Sequence, residues 1–199
     1  MKSLLIATTN LAKLGEMQSV FEGSGVKTLG LKDFSDIKLV EESGDTFLEN
    51  ALLKAKGYFI QTKISCLVDD GGLMVDYLDG APGVNSNRWL GFKATDQELA
   101  GAILKKMEGV PSEKRTARFG GVMAFYDGKN FITEENYVEG FIAEHPMGDI
   151  KPGFPYRSIF IVAKFGKPYS ELSEEEDKEV GARQRNLQTI KPRVLEFLK

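Results

Sequence analysis

The 199-residue sequence holds one cysteine and one histidine. A lone cysteine, Cys66, forms no internal disulfide, which fits a reducing compartment. Its apolar surroundings read as a buried structural thiol, not a nucleophile. A lone histidine, His145, argues against histidine metal clusters and Ser-His-Asp triads. No apolar stretch reaches membrane-spanning length, and the first residues lack a cleavage signal, so neither an anchor nor a leader is expected. Positive charge is not in excess either: 26 Lys and Arg face 29 Asp and Glu, for a net charge of −3. General binding to nucleic-acid phosphates is therefore not expected. Together these absences predict a cytoplasmic protein. No repeat, low-complexity tract or composition break marks a linker, and residues 1–199 read as a single domain with a sizeable core.

What is present is an interleaving of helix and strand patterns. Residues 3–7 are a short buried strand, and 11–21 an amphipathic helix with Leu11, Leu14, Met17, Val20 and Phe21 at helical spacing. A second strand is expected over 26–29, followed by a polar, acidic connection over 33–44. Asp45 or Thr46 caps a helix over 47–61. Residues 65–68 are strand-like, Asp69, Asp70, Gly71 and Gly72 interrupt the run, and 73–77 resume it. Thr95 and Glu98 have capping-box spacing at the head of a helix reaching Met107. Two long extended segments, 115–126 and 131–144, flank Asp127 and Gly128, a hairpin signal. Residues 158–163 form another strand. A charged helix starts at 173–176, and a short terminal helix covers 192–198. The central hairpin makes a purely parallel sheet improbable, so the fold class is α/β with a long mixed sheet flanked by helices.

The residues that can carry chemistry are polar groups at strand ends and helix starts. Thr8, Thr9, Asn10 and Lys13 follow an apolar strand and open a helix, where backbone N–H groups, the helix dipole and a lysine favour an anion such as a polyphosphate. Asn10 also suits a plain N-cap. The glycines of a P-loop are missing. Asp69 and Asp70 end an apolar run and suit a hard cation or proton abstraction, or else a solvated turn. Glu41 and Glu42 offer further carboxylates. Lys54, among apolar residues of its helix, either snorkels to water or meets a phosphate. Phe154 and Tyr156 in a Gly/Pro loop suit base stacking or core packing. Arg183 and Arg185 suit a phosphate, or the C-terminal dipole of the charged helix.

In order along the chain, residues 7–13, 41–44, 46–55, 69–73 and 80–84, with Gly153 and Phe154, resemble the inosine triphosphate pyrophosphatase family. The resemblance implies an elongated fold of two lobes with the active site in a cleft, a homodimer, and Mg²⁺-dependent attack of water at the α-phosphorus of a non-standard purine nucleoside triphosphate. It implies phosphate contacts from Thr8, Thr9, Asn10, Lys13 and Lys54, with Asp70 as general base and metal ligand. Glu42, or its neighbour Glu41, becomes the second metal ligand, and the Gly71 N–H a substrate contact.

Departures fall at the base end. The family's phenylalanine, glycine, tyrosine and aspartate are here Phe154, Pro155, Tyr156 and Arg157, so an acceptor has become a donor-only cation. Its serine, histidine and arginine are here Gly181, Ala182 and Arg183, and a family lysine falls on Asp177 or, one place along, is met by Lys178. A site that loses hydrogen-bonding partners loses discrimination. The expectation is a pyrophosphatase with altered or relaxed base selectivity. A non-catalytic nucleotide binder, or a hydrolase of another phosphoanhydride such as a nucleotide sugar, is the alternative.

Overall fold

The computed structural model describes residues 2–198. Seven strands make one mixed sheet: β1 (Ser3–Ile6), β2 (Lys27–Gly30), β3 (Cys66–Val75), β4 (Thr116–Tyr126), β5 (Phe131–Ile142), β6 (Phe160–Val162) and β7 (Lys167–Pro168), in the order β2-β1-β3-β4-β5-β6-β7. β1 runs parallel to β2 and β3, with Leu5 opposite Leu29 and Cys66. β6 lies antiparallel to β5 and β7. The helices are α1 (Leu11–Phe21), α2 (Phe47–Thr62), α3 (Asp96–Lys106), α4 (Glu174–Val180) and α5 (Ala182–Phe197). None is long and apolar enough to cross a membrane.

The helix starts follow their caps. Asn10 Oδ1 accepts from the N–H groups of Ala12 and Lys13 at the head of α1. Thr46 with Glu49, Thr95 with Glu98, and Ser173 with Glu176 form capping boxes on α2, α3 and α4. Each satisfies N–H groups that a helix start leaves open.

The chain forms two compact units. The first takes residues 2–70, 121–136 and 183–198. Its core gathers Leu4 and Ile6 of β1, Leu14, Met17 and Phe21 of α1, Met123 and Phe125 of β4, and Leu187, Ile190 and Val194 of α5. The second takes residues 71–120 and 137–182, with a core of Leu73 and Val75, Leu99 and Ile103 of α3, Ile142, Tyr156, Phe160 and Tyr169. Arg115 is buried in this second unit, donating to the carbonyls of Met107, Ile142 and Ala143 at 2.6 Å each.

Three sequence expectations change. β3 runs unbroken through Asp69, Asp70, Gly71 and Gly72, because the carboxylates are neutralised inside the fold. The terminal helix begins at Ala182, ten positions before the expected start, and contains Pro192. Its stripe of buried Leu187, Ile190 and Val194 holds it on the core on both sides of the proline. Arg183 accordingly sits in the first turn of α5, not at the end of the charged helix, so it complements no C-terminal dipole.

Candidate active site

In the first unit, the middle of β3 carries two adjacent carboxylates, and successive residues of a strand face opposite ways. Asp69 Oδ2 receives Lys13 Nζ at 2.8 Å and Arg183 Nη2 at 3.1 Å. Arg183 also holds Glu16 at 2.6 Å. Asp70 Oδ1 meets Lys54 Nζ at 2.5 Å, and Glu42 Oε1 meets the same Nζ at 3.0 Å. Lys54 donates further to the Asp69 carbonyl at 3.2 Å. Lys54, Asp69 and Asp70 are all buried. Lys54 does not snorkel, and the acidic pair is not a solvated turn.

The two neighbours are electrostatically opposite. Burial pushes the Asp69 carboxyl up, but Arg183 and Lys13 outweigh it and hold the group well below the usual carboxylate range. Burial also pushes Asp70 up, and there it wins: Lys54 opposes it, while the negative charge of Glu42 adds to it. Burial lowers Lys13, helped by the positive charges of Arg183 and Lys54 and opposed by Asp69. Burial also works to lower Lys54, but Asp70 and Glu42 overcome it and raise the ammonium above its usual value. Asp69 is thus a fixed anion that gathers cations. Asp70 is a carboxylate with a raised proton affinity.

The neighbouring loops are pinned. Asn50, fully buried on α2, takes the Gly44 N–H on its Oδ1 at 2.8 Å and donates to the Gly44 carbonyl at 3.3 Å. That clamp fixes the loop carrying Glu42. A Cβ at Gly44 would lie 2.6 Å from Glu49 Cβ, so only glycine fits there. Glu41, beside it, is exposed. Thr8 Oγ1 accepts from the Asn10 N–H at 3.1 Å, and Thr9 is exposed. Asn10 Oδ1 serves as the N-cap, so two amides of the α1 start are already satisfied.

Gly71 and the base-end residues lie in the second unit. Gly71 is partly buried within β3. A Cβ on the next residue, Gly72, would sit 1.9 Å from Ser86 Oγ, which accepts from Leu73 N–H and donates to the Gly83 carbonyl. The second glycine of the pair therefore makes room for Ser86. Tyr156 is buried, its hydroxyl donating to the Ser86 carbonyl at 2.6 Å, and its ring packs in the core. Phe154 is partly buried, with the Arg157 guanidinium 3.7 Å over its ring. Asp96 accepts from the Gly153 N–H at 2.7 Å and anchors this loop.

Sequence reasoning passed over Glu16, Asn50, Ser86 and Asp96. Asn50 alone left a signal, a polar residue on the buried face of α2. The roles of the others depend on partners distant in the chain. Among the described residues, no three of His, Cys, Asp and Glu gather into a metal site by themselves. The donor set of Asp70 and Glu42, converging on one cationic nitrogen, still suits Mg²⁺, which takes one or two carboxylates and completes its shell with water and phosphate oxygens.

The family model of the Ham1 family matches residues 4–193. A dITP/XTP pyrophosphatase of Geobacillus kaustophilus is 39% identical over 188 residues, 94% of this chain and 91% of that protein. A dITP/XTP pyrophosphatase of Caldanaerobacter subterraneus is 38% identical over 201 residues, covering 100% of this chain and 98% of that protein. Among solved structures, a HAM1 protein from Coxiella burnetii superposes with a TM-score of 0.86 at 32% identity, over 98% of this chain and 100% of that one. The family model and the similarity over almost the whole length lead to one conclusion: the chain belongs to the Ham1 family.

Proposed function

We propose that the chain hydrolyses a non-standard purine nucleoside triphosphate to the monophosphate and pyrophosphate in the presence of Mg²⁺, with altered or relaxed base selectivity. One observation carries this reading. Lys13, Arg183 and Lys54 are gathered on adjacent carboxylates of one strand, and only one of those carboxylates, Asp70, has its proton affinity raised. Buried cations held by internal anions are preorganised for a polyanion, because their positions are fixed before it arrives. Lys13 and Lys54 are assigned the phosphates, with Thr8, Thr9 and Asn10 at the α1 start and the Gly71 N–H. Asp70 takes the proton from attacking water, and a raised pKa suits a general base working near neutral pH. Lys54, 2.5 Å away, holds that carboxylate in place. Asp70 and Glu42 would hold Mg²⁺, with exposed Glu41 as the alternative to Glu42. Bound there, the ion would neutralise phosphate charge and polarise the phosphoryl group. Phe154 and Arg157 are assigned the base end, with buried Tyr156 supporting their loop. Arg183, tied to Asp69 and Glu16, keeps Asp69 charged beside Lys13. The same reading carries a cytoplasmic homodimer, checked by light scattering in solution.

The test is Mg²⁺-dependent pyrophosphate release from ITP, dITP, XTP, dUTP and the ordinary nucleotides. Release from at least one purine nucleotide, lost in Asp70→Asn, supports the assignment. Nucleotide binding with no release from any of them would point instead to a non-catalytic binder.

A further inference from the structure

Arg157, Asp177 and Gly181 are positions at which the chain departs from the pattern it resembles, and contacts that pass through Tyr169 join them. The Arg157 guanidinium lies 3.7 Å over the Phe154 ring and 4.9 Å from the Tyr169 ring. The Tyr169 hydroxyl donates to Asp177 Oδ1 at 2.8 Å. The Gly181 N–H closes on the Asp177 carbonyl at 2.7 Å. A Cβ at residue 181 would stand 2.1 Å from Asp177 Oδ1 and 2.4 Å from the Asp177 backbone carbonyl, so the backbone here admits only glycine at 181. Ser170 N–H donates to the Arg157 carbonyl at 3.0 Å, tying the Tyr169 segment to the arginine's own backbone. Changes that look scattered in the sequence are one construction.

We infer that Arg157, stacked on Phe154 and braced through Tyr169 and Asp177, is the specificity-determining residue for the base, favouring an anionic, acceptor-rich base such as xanthine over a neutral one such as hypoxanthine. This rests on the nucleotide reading above. A guanidinium carries five donors and no acceptor, so it rewards acceptors and charge and repels N–H edges. The aromatic face beneath it fixes its plane and stabilises the cation. Xanthine nucleotides shed a ring proton in mildly acidic solution and are anionic at neutral pH, whereas hypoxanthine nucleotides stay neutral. Tyr169 and Asp177 are positioning residues in this account, acting only through the placement of Arg157.

The experiment measures binding of XMP and IMP to the whole chain with Mg²⁺ at pH 7.5 by calorimetry. Both are reaction products, so the readout does not depend on turnover. XMP is expected to bind at least about ten-fold tighter than IMP, the discrimination expected of one good guanidinium contact. Arg157→Gln should bring the ratio to within about two-fold, and Arg157→Lys, which keeps the charge, should retain part of it. Tyr169→Phe keeps the ring and removes the tie to Asp177, and should lower the ratio several-fold with IMP affinity unchanged. Equal binding by the native chain, or a ratio that survives Arg157→Gln, overturns the inference. So does failure of both ligands to bind at millimolar concentration. Selective binding without pyrophosphate release would uphold it and count against the hydrolytic reading alone.

Discussion

Replacing Asp69 by asparagine tests the electrostatic logic of the site most directly. The side chain keeps its size and loses its charge. The Asp69 side chain is only 6% exposed, and those of Lys13 and Arg183 are 15% and 13% exposed. Arg183 would keep Glu16, whereas Lys13 would face Arg183 and Lys54 with no anion of its own. Breaking a buried pair by removing one partner costs about 3–5 kcal/mol, because a charge stays buried without compensation. In a domain of this length, each kcal/mol moves the melting temperature by about 2–4 °C, so Asp69→Asn should melt roughly 6–20 °C lower at pH 7. Because Arg183 and Lys13 hold the folded-state pKa of Asp69 below its unfolded value, its contribution is present above the ordinary carboxylate range. It fades only as the pH falls through that range and below. The difference between native and variant chains should therefore be constant from about pH 5 to 8 and close in strong acid. Thermal unfolding followed by circular dichroism measures it. Adding Lys13→Met to the variant should recover part of the loss, since the stranded charge goes with it. A variant melting within about 2 °C of the native chain at pH 7 would refute the assignment of Asp69 as the anion that holds these cations.

The neighbouring position should behave differently. Asp70→Asn leaves buried Lys54 with Glu42 still beside it, so it should cost less stability than Asp69→Asn, while kcat falls by about 10²–10⁴ in the pyrophosphate assay. The acid limb of the native kcat/KM profile should lie above the ordinary aspartate value of about 3.9, because the free enzyme must lose the Asp70 proton before it can act as a base. Gly140→Ala would bring a Cβ to 2.1 Å from the Ile161 carbonyl, where β5 pairs with β6, and should cost about 3 kcal/mol in urea unfolding. Ser158→Ala removes a fully buried hydroxyl with no hydrogen-bond partner among the described residues, and the same measurement should show equal stability or a gain of up to about 1 kcal/mol.

Local signals were legible where the chemistry is local. Asn10, Thr46, Thr95 and Ser173 each cap a helix within three residues of themselves, so the helix starts could be read directly. The mixed sheet followed from apolar strand runs and the turn at Asp127, whose Oδ1 accepts from Lys129 and Asn130. Expectations failed where a distant charge altered the local balance. Asp69 and Asp70 looked like a turn because, taken alone, two carboxylates cannot be buried. Lysines 16 and 56 positions from the carboxylates they meet, in α2 and α1, with Arg183 of α5, make it possible. The α5 start was missed because charged residues surround Leu187 and Ile190, whose burial depends on β4 and α1 being in place. By itself, then, the sequence determined where the four capped helices α1 to α4 begin, that the two long central strands form a hairpin, and which residue types were available for phosphate and metal chemistry. Only the tertiary structure decided which of two adjacent aspartates is the fixed anion and which has its proton affinity raised. It also decided that Gly72 serves Ser86, and that Arg157, Tyr169, Asp177 and Gly181 form one construction. The physical reason is that capping and hydrophobic periodicity act over a few bonds, whereas proton affinity and steric exclusion are set by whatever the fold brings within a few ångströms.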